Sequence, residues 1–314
     1  MTAAKSSNEI KITRLYDAPV KAVWEAWTDP EQVAKWWGPR GFTLTTHKKD
    51  TKTGGVWNYT MHGPDGTNYE NSTNYLEVVP FRKLMYDHGG HADRPPLFRV
   101  TVLFSDAGNG KTKMDMSSTL PSPEAAAEMR ALIKKAGGDS TWDRLAEFLE
   151  ETSSGTNKFV ITRAFDAPIA KMFEVWTSPQ HLSQWTPPTG FTMEFIECDI
   201  RPGGGSFYAM GNASAKMYGI TNYLAIEAPH RVIYTQQFAD EKKQVVRHPM
   251  SPTWPETMLT TIVFAEEETD RTRVTITWQP YGPTTPEEIE TFIKAKGGMT
   301  QGWTGSLDKL EAYL

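Results

Sequence analysis

Residues 12–19 read Ile-Thr-Arg-Leu-Tyr-Asp-Ala-Pro, and residues 161–168 read Ile-Thr-Arg-Ala-Phe-Asp-Ala-Pro. The offset of 149 continues downstream. Trp27-Thr28 returns as Trp176-Thr177, Pro30 as Pro179, Trp36 as Trp185, and Gly41-Phe-Thr43 as Gly190-Phe-Thr192. Gly54-Gly55 returns as Gly203-Gly204, Asn74-Tyr-Leu76 as Asn222-Tyr-Leu224, and Tyr86 as Tyr234. Ordered matches over a whole half mean one unit of about 150 residues written twice. Near the end, Gly137-Gly138 pairs with Gly297-Gly298, and Asp143-Arg-Leu with Asp308-Lys-Leu. The expected domains are residues 8–151 and 157–314, joined by the short polar stretch 151–157.

Each unit opens with a strand, near 9–16 and 158–165. Asp-Ala-Pro then starts a helix, with Pro in the first turn. Val20, Val23, Trp24 and Trp27, and again Ile169, Met172, Phe173 and Trp176, follow the i, i+3, i+4, i+7 spacing of one buried helix face. Pro30 and Pro179 start a second short helix. The next 75 or so residues alternate like antiparallel strands with one face buried. Phe98, Val100, Val102 and Phe104 make one such run, and Met258, Thr260, Ile262 and Phe264 another. Each unit ends in helix, with a break expected at its Gly-Gly. The expected class is α+β: a curved antiparallel sheet of about six or seven strands wrapped on a long C-terminal helix, with two short helices, twice.

Composition narrows the function. The 314 residues carry a net charge of −5, with 39% hydrophobic and 23% charged residues. Lys and Arg number 19 against 20 acidic residues up to Thr152, and 14 against 18 beyond it. Neither half is a basic surface for nucleic acid. The single Cys198 excludes an internal disulfide and a cysteine-based zinc site. No signal peptide or membrane span is read, so a cytoplasmic protein is expected. Eleven Trp and 13 Met suit large or adaptable apolar interiors.

These residues resemble a known family. Asp-Ala-Pro19, Val23-Trp-Glu-Ala-Trp-Thr-Asp-Pro30 and Trp36-Trp-Gly-Pro-Arg-Gly-Phe42 in the first half are similar to bacterial proteins related to the C-terminal domain of the activator of Hsp90 ATPase (AHSA1). So are Arg201-Pro-Gly-Gly204, Arg247-His-Pro249, Trp254-Pro255 and Gly302-Trp-Thr-Gly-Ser-Leu307 in the second. The resemblance implies two START-like, Bet v 1-like helix-grip domains of the SRPBCC superfamily. That superfamily holds hydrophobic-ligand carriers, cyclases, oxygenase subunits and a co-chaperone domain, so the fold alone does not choose among functions. The expected function is binding of a small hydrophobic or amphipathic molecule between sheet and C-terminal helix. The alternatives are a cyclase- or hydrolase-like enzyme on an aromatic or polyketide-type substrate, and an Hsp90-type chaperone-associated stress protein.

The candidate pocket residues are aromatic or flexible side chains on those elements. Trp36 and Trp185, with Trp37, form either an aromatic rim or a plug at the helix ends. Trp57, Tyr59, Met61, Tyr75 and Tyr86, and in the second half Phe207, Met210, Tyr223 and Tyr234, are either pocket lining or plain core. Trp142 and Trp303 come from the final helices. Arg247 and Trp254 lie in an insertion of the second half, where they either hold an anionic group or stiffen a loop. His88 belongs to Asp87-His-Gly-Gly-His91-Ala-Asp93, the densest set of potential ligands. It is Gly-rich and unrepeated, and reads as a solvated loop rather than a metal site. The Gly clusters lack the Lys-Ser/Thr of a phosphate loop, no Gly-x-Ser-x-Gly elbow occurs, and Cys198 lies between Glu197 and Asp199, which keep it protonated. No catalytic residue, cofactor or metal is expected.

Overall fold

The computed structural model describes residues 7–89, 95–135, 140–154 and 157–314. The chain divides into two compact units between Ser153 and Ser154. The first unit runs β1 (Glu9–Tyr16), α1 (Val20–Thr28), α2 (Pro30–Trp36), β2 (Thr43–Lys49), β3 (Val56–His62), β4 (Asn68–Val79), β5 (Lys83–His88), β6 (Phe98–Gly108), β7 (Lys111–Thr119), α3 (Pro123–Lys135) and α4 (Ser140–Ser154). The second runs β8 (Phe159–Phe165), α5 (Ile169–Thr177), α6 (Pro179–Trp185), β9 (Thr192–Cys198), β10 (Gly205–Gly211), β11 (Lys216–Glu227), β12 (Arg231–Ala239), β13 (Met258–Glu268), β14 (Arg271–Pro280) and α7 (Pro286–Tyr313).

Each unit holds one seven-stranded sheet, ordered β1-β7-β6-β5-β4-β3-β2 and β8-β14-β13-β12-β11-β10-β9. The two orders are the same topology. Every neighbouring pair is antiparallel. Helices cover one face of each sheet. This is the expected pair of helix-grip domains.

Local chemistry explains the entry into the helices. Pro19 and Pro168 are extended N-caps, so Pro sits one residue before the first turn rather than in it. The Ala of each Asp-Ala-Pro is tied down: Thr112 donates to the Ala18 carbonyl at 2.7 Å and Thr272 to Ala167 at 2.8 Å. Asp29 caps α2 by accepting the N–H groups of Glu31 and Gln32, both at 2.9 Å. The paired Gly clusters are needed sterically. A Cβ at Gly55 would lie 2.0 Å from the Asp50 carbonyl oxygen, and at Gly204 2.3 Å from that of Asp199.

The C-terminal helices depart from expectation in two ways. α7 runs unbroken for 28 residues through Gly297-Gly298. Each interior Gly costs about 1 kcal/mol against Ala. The Thr285–Glu288 capping box and the burial of Phe292, Met299, Leu307 and Leu310 offset that cost. Gly137-Gly138 lies outside the described residues. In addition, α4 continues to Ser154, so the expected linker begins as helix. The units also align differently here than the Asp143–Asp308 match implies. Trp142 stacks on Trp27 with rings 5.8 Å apart and 16° between planes, and Trp303 stacks on Trp176 at 6.3 Å and 16°. Trp142 therefore corresponds to Trp303 and Leu149 to Leu310, one helical turn away from that match.

Candidate functional site

Strand register settles which residues face the helices. On β3, Trp57 pairs with Thr73 and Tyr59 with Asn71; on β5, Tyr86 pairs with Tyr75 and His88 with Thr73. Trp57, Tyr59, Thr73, Tyr75, Tyr86 and His88 therefore share the concave, helix-covered face. The second unit places Ser206, Tyr208, Thr221, Tyr223, Tyr234, Gln236, Thr260 and Trp278 on the same face by the same pairing. Phe207 lies on the opposite face, where its ring stacks on Tyr218 at 5.7 Å. It does not line the space beneath α7.

Trp36 and Trp185 are fully buried at 0% exposure, and each indole N–H donates ten residues back, to the carbonyls of Ala26 (3.0 Å) and Val175 (3.2 Å). They are plugs, not a rim. Beyond them the two interiors diverge. In the first unit Trp37 packs against Trp57 (5.1 Å), Tyr59 (6.4 Å), Trp27 (5.4 Å) and Trp142 (6.3 Å), and its indole N–H reaches the Tyr59 hydroxyl at 3.3 Å. Trp57 stacks on Tyr59 at 4.1 Å. The result is a continuous aromatic core in which Tyr59 is 1% exposed and Tyr86 6%. Met61 packs at its edge, and Tyr75 is buried against Tyr86.

The second unit has Thr186 where the first has Trp37, and Ser206 where it has Trp57. Two indoles are gone. Tyr208, Tyr234 and Trp303 are accordingly half-buried, where Tyr59, Tyr86 and Trp142 are buried; Met210 is half-buried like its counterpart Met61. The polar groups on this face form a network. The Gln236 Oε1 accepts from Thr260 Oγ1 and from Trp278 Nε1, both at 3.1 Å. The Tyr208 phenol hydrogen-bonds the same amide, while burial pushes its pKa up. Tyr223 is pushed up to about 12, chiefly by burial, and bonds Ser206 at 3.2 Å. Tyr234 rises further for the same reason. These phenols hold their protons at neutral pH and act as donors, not bases. Buried within 5% exposure, the Trp176 N–H has no acceptor among the described residues, as is also true of Trp27.

The insertion of the second unit closes one side of this space. Trp254 packs on Trp278 (6.4 Å) and Phe292 (5.9 Å), and His248 lies between Phe238 (4.5 Å) and Trp254 (6.1 Å). Arg247 donates to Glu288, the capping residue of α7, and to the Trp254 carbonyl. It latches the loop rather than presenting a free cation. A groove of about 310 Å³ opens beside this loop, bounded by Lys216, Tyr218, Phe238, Val246 and Pro249. It lies at the strand ends, not under α7. Phe238 continues the helix-facing row Tyr234, Gln236, Phe238, so the groove starts where that row ends.

His88 is the last residue of β5, not part of a solvated loop. Its ring stacks on Phe98 at 4.8 Å, and burial lowers its pKa to about 4. His91 and Asp93 lie outside the described residues. Gln236 occupies the equivalent position of the second unit. Between pH 6.5 and 4 the unfolded chain binds a proton that folded His88 refuses, so stability falls as pH falls through that window. His88→Gln is expected to flatten the fall. Thermal unfolding of both forms from pH 7 to 4 checks it; parallel curves refute it.

The alternating runs include Thr260 and Trp278, but neither is named among the candidate pocket residues, and Gln236 belongs to no run that the sequence marks. Cys198 is raised in pKa, by burial first and then by Asp199, against a lowering hydrogen bond from Ser206. No described helix is long and apolar enough to cross a membrane.

No curated protein matches the chain. Among solved structures, a protein from Mycobacterium smegmatis is 23% identical, covering 51% of this chain and 91% of its own, with a TM-score of 0.43. The AHSA1 protein from Silicibacter pomeroyi is 17% identical over 50% of this chain and 96% of its own, TM-score 0.39. The di-domain ARO/CYC protein BexL of the BE-7585A biosynthetic pathway is 13% identical over 97% of both chains, TM-score 0.41. The profile described as "Activator of Hsp90 ATPase homolog 1-like protein" matches residues 17–150 and again 166–314. With nearly all of both units matched, the chain belongs to the family of activator of Hsp90 ATPase homologue 1-like proteins.

Proposed function

We propose that the second unit binds one small amphipathic molecule on its concave face, and that the first unit, filled by its own tryptophans, does not. One observation carries this reading. Tyr208 and Tyr234 are half-buried where Tyr59 and Tyr86 are buried, because Thr186 and Ser206 replace Trp37 and Trp57. The ligand's polar end would meet the Tyr208, Gln236 and Trp278 network, and its acceptors the Trp176 N–H. Its apolar part would lie along Tyr234 and Trp303 toward the groove at Phe238. A largely apolar wall with few placed polar groups is the usual character of a small-molecule site. Phenols that keep their protons favour binding over turnover by a general base. As a member of this reading, the latch at Arg247 and Glu288 would hold the Trp254 loop across the occupant.

The domain bounds proposed with it are 8–151 and 157–314. Native mass spectrometry of the full chain purified from its own source tests the reading. The expected result is one added small molecule per chain, lost in Gln236→Leu. Two equivalents, or an occupant indifferent to Gln236, would refute it. So would the lack of any adduct together with no saturable binding of amphipathic fluorescent probes.

A further inference from the structure

Hydrogen-bond chemistry fixes the direction of the polar network in the second unit. An indole N–H can only donate, so the end of the Gln236 amide that meets Trp278 Nε1 at 3.1 Å is its oxygen. The same oxygen accepts from Thr260 Oγ1, also at 3.1 Å, which uses its second lone pair. Tyr208 therefore meets the other end of the amide, and its phenol oxygen accepts from Nε2. The Tyr208 O–H and the second Nε2 hydrogen are left over, so what the network offers a ligand is donors.

These donors border a cavity. Tyr208 pairs with Gly219 on β11, and Gly219 pairs with Phe238 on β12. Because Gly219 has no side chain, the Tyr208 ring lies across it, and a Cβ there would come within 2.4 Å of the phenol oxygen. The hydroxyl is thereby carried along the row toward Phe238. Phe238 and Met217, which shares the face of Gly219 on β11, line the groove of about 310 Å³ together with Tyr218, Val246 and Pro249. The strand residues on that face, Ser206, Tyr208, Thr221, Tyr223, Gln236 and Thr260, carry no charge. Of the charged groups bounding the groove, Lys216 and Glu241 are exposed, and Asp240 spends its carboxylate on the N–H groups of Lys242 (2.9 Å) and Gln244 (2.8 Å).

A patch that offers donors and no charge suits a ligand oxygen that accepts and is itself neutral. A carboxylate would be desolvated without a counter-cation, and an ammonium without a carboxylate to meet it, and both are costly. A hydroxyl would accept but leave its own hydrogen unpaired. Given the binding site proposed for this unit, on which this step rests, we propose that it selects a small neutral carbonyl compound, whose oxygen accepts from Tyr208 and whose apolar body lies in the groove at Phe238. Gln236 is then a positioning residue: by donating to the phenol oxygen, it leaves the phenol hydrogen to the carbonyl. The volume of the groove is at the small end of ligand pockets, which suits one mono- or bicyclic molecule.

The full chain is titrated at neutral pH with three fluorescent dyes that share one 2-(dimethylamino)naphthalene body: the 6-propionyl ketone, its 6-propyl analogue and the 6-carboxylate. The ketone should bind at one site per chain, at least about tenfold tighter than the propyl analogue, which is the worth of one hydrogen bond. The carboxylate should bind more weakly than the ketone by a similar factor. Tyr208→Phe keeps the ring, and should cut the ketone preference below about threefold while leaving the propyl analogue within about twofold. Gln236→Glu keeps the shape but takes the phenol hydrogen for its own carboxylate, and should remove the preference too. Tyr59→Phe, the equivalent change in the first unit, should alter none of the affinities. If neither the ketone nor the propyl analogue binds, the proposed binding site falls and this selectivity with it. If the two bind equally, if the carboxylate binds tightest, or if the ketone preference survives Tyr208→Phe, the binding site stands and the carbonyl proposal is overturned.

Discussion

Replacing Arg144 by alanine is expected to cost the first unit about 2–4 kcal/mol, through loss of charge-assisted hydrogen bonds to mostly part-buried carbonyls. The guanidinium on α4 reaches five carbonyls of the segment that closes the helix end. Nη1 donates to Gly38 (2.8 Å), Pro39 (3.0 Å), Phe42 (3.2 Å) and Trp37 (3.4 Å), and Nη2 to Lys35 (3.1 Å). Within that segment the Phe42 N–H reaches the Pro39 carbonyl at 3.1 Å, while Gly38 and Gly41 sit at positive φ, 95° and 85°, and break regular pairing. Burial lowers the pKa of Arg144, but a guanidinium stays charged at any working pH. Lysine would be a poor substitute, since a point charge cannot serve a fan of acceptors. The second unit solves the same problem differently. Gly305 stands at the equivalent position, and Ser306 donates to the Thr186 carbonyl at 2.9 Å while Lys309 donates to Pro187 at 2.8 Å. Amide hydrogen exchange in Arg144→Ala should therefore rise across residues 35–42 and stay unchanged across 186–191. A denaturation shift worth less than about 1 kcal/mol would show that water replaces the guanidinium at little cost.

Most of the fold was legible because its determinants are local. The Asp-Ala-Pro turn, the i, i+3, i+4 helix faces and the Gly-Gly reversals each act within a few residues, and their repetition doubles the signal. Where reading failed, the determinant was tertiary. Gly297-Gly298 looks like a helix break, yet packing of Phe292 and Met299 carries α7 across it. Asp143-Arg-Leu and Asp308-Lys-Leu look equivalent, yet the tryptophan stacks place them a turn apart.

The site was less legible than the fold. Tyr59, Tyr75, Tyr86, Tyr223 and Tyr234 all lie on the concave face, as aromatic alternation suggests. Phe207 does not, because one residue of register separates the two faces of a strand. Gln236 was missed because its importance comes from partners on β13 and β14, 24 and 42 residues away. Trp36 and Trp185 illustrate the converse. The sequence leaves them as either a rim or a plug, and their full burial makes them the plug.

Restoring the two missing indoles gives the sharpest test of the proposed division of labour. Thr186→Trp with Ser206→Trp copies into the second unit what Trp37 and Trp57 do in the first. There, Trp57 stacks on Tyr59 at 4.1 Å and Trp37 hydrogen-bonds its hydroxyl at 3.3 Å. In the second unit the new rings would meet Tyr208, which already crosses the bare Gly219, where even a Cβ would come within 2.3 Å of its ring. If the half-buried surface of Tyr208 and Tyr234 is a binding site, the double variant should lose ligand affinity by at least about a hundredfold, since an indole occupies the ligand's own volume. Folding should survive, because the first unit shows that this fold accommodates both rings. Part of the gain from burying new apolar area, some 25 cal/mol per Å², should appear as a higher melting temperature. The single Ser206→Trp separates two effects. It also removes the hydroxyl bonded to Tyr223, at 3.2 Å, and to Cys198, at 3.4 Å, so Ser206→Ala serves as its control. Calorimetric titration with the native occupant, beside thermal unfolding, reads both quantities. Undiminished affinity in the double variant would move the occupant away from the concave face, to the groove at Phe238 or to the first unit. The reciprocal pair Trp37→Thr with Trp57→Ser should open the first unit, lower its stability by about 3–5 kcal/mol for the buried rings removed, and create a second equivalent of binding.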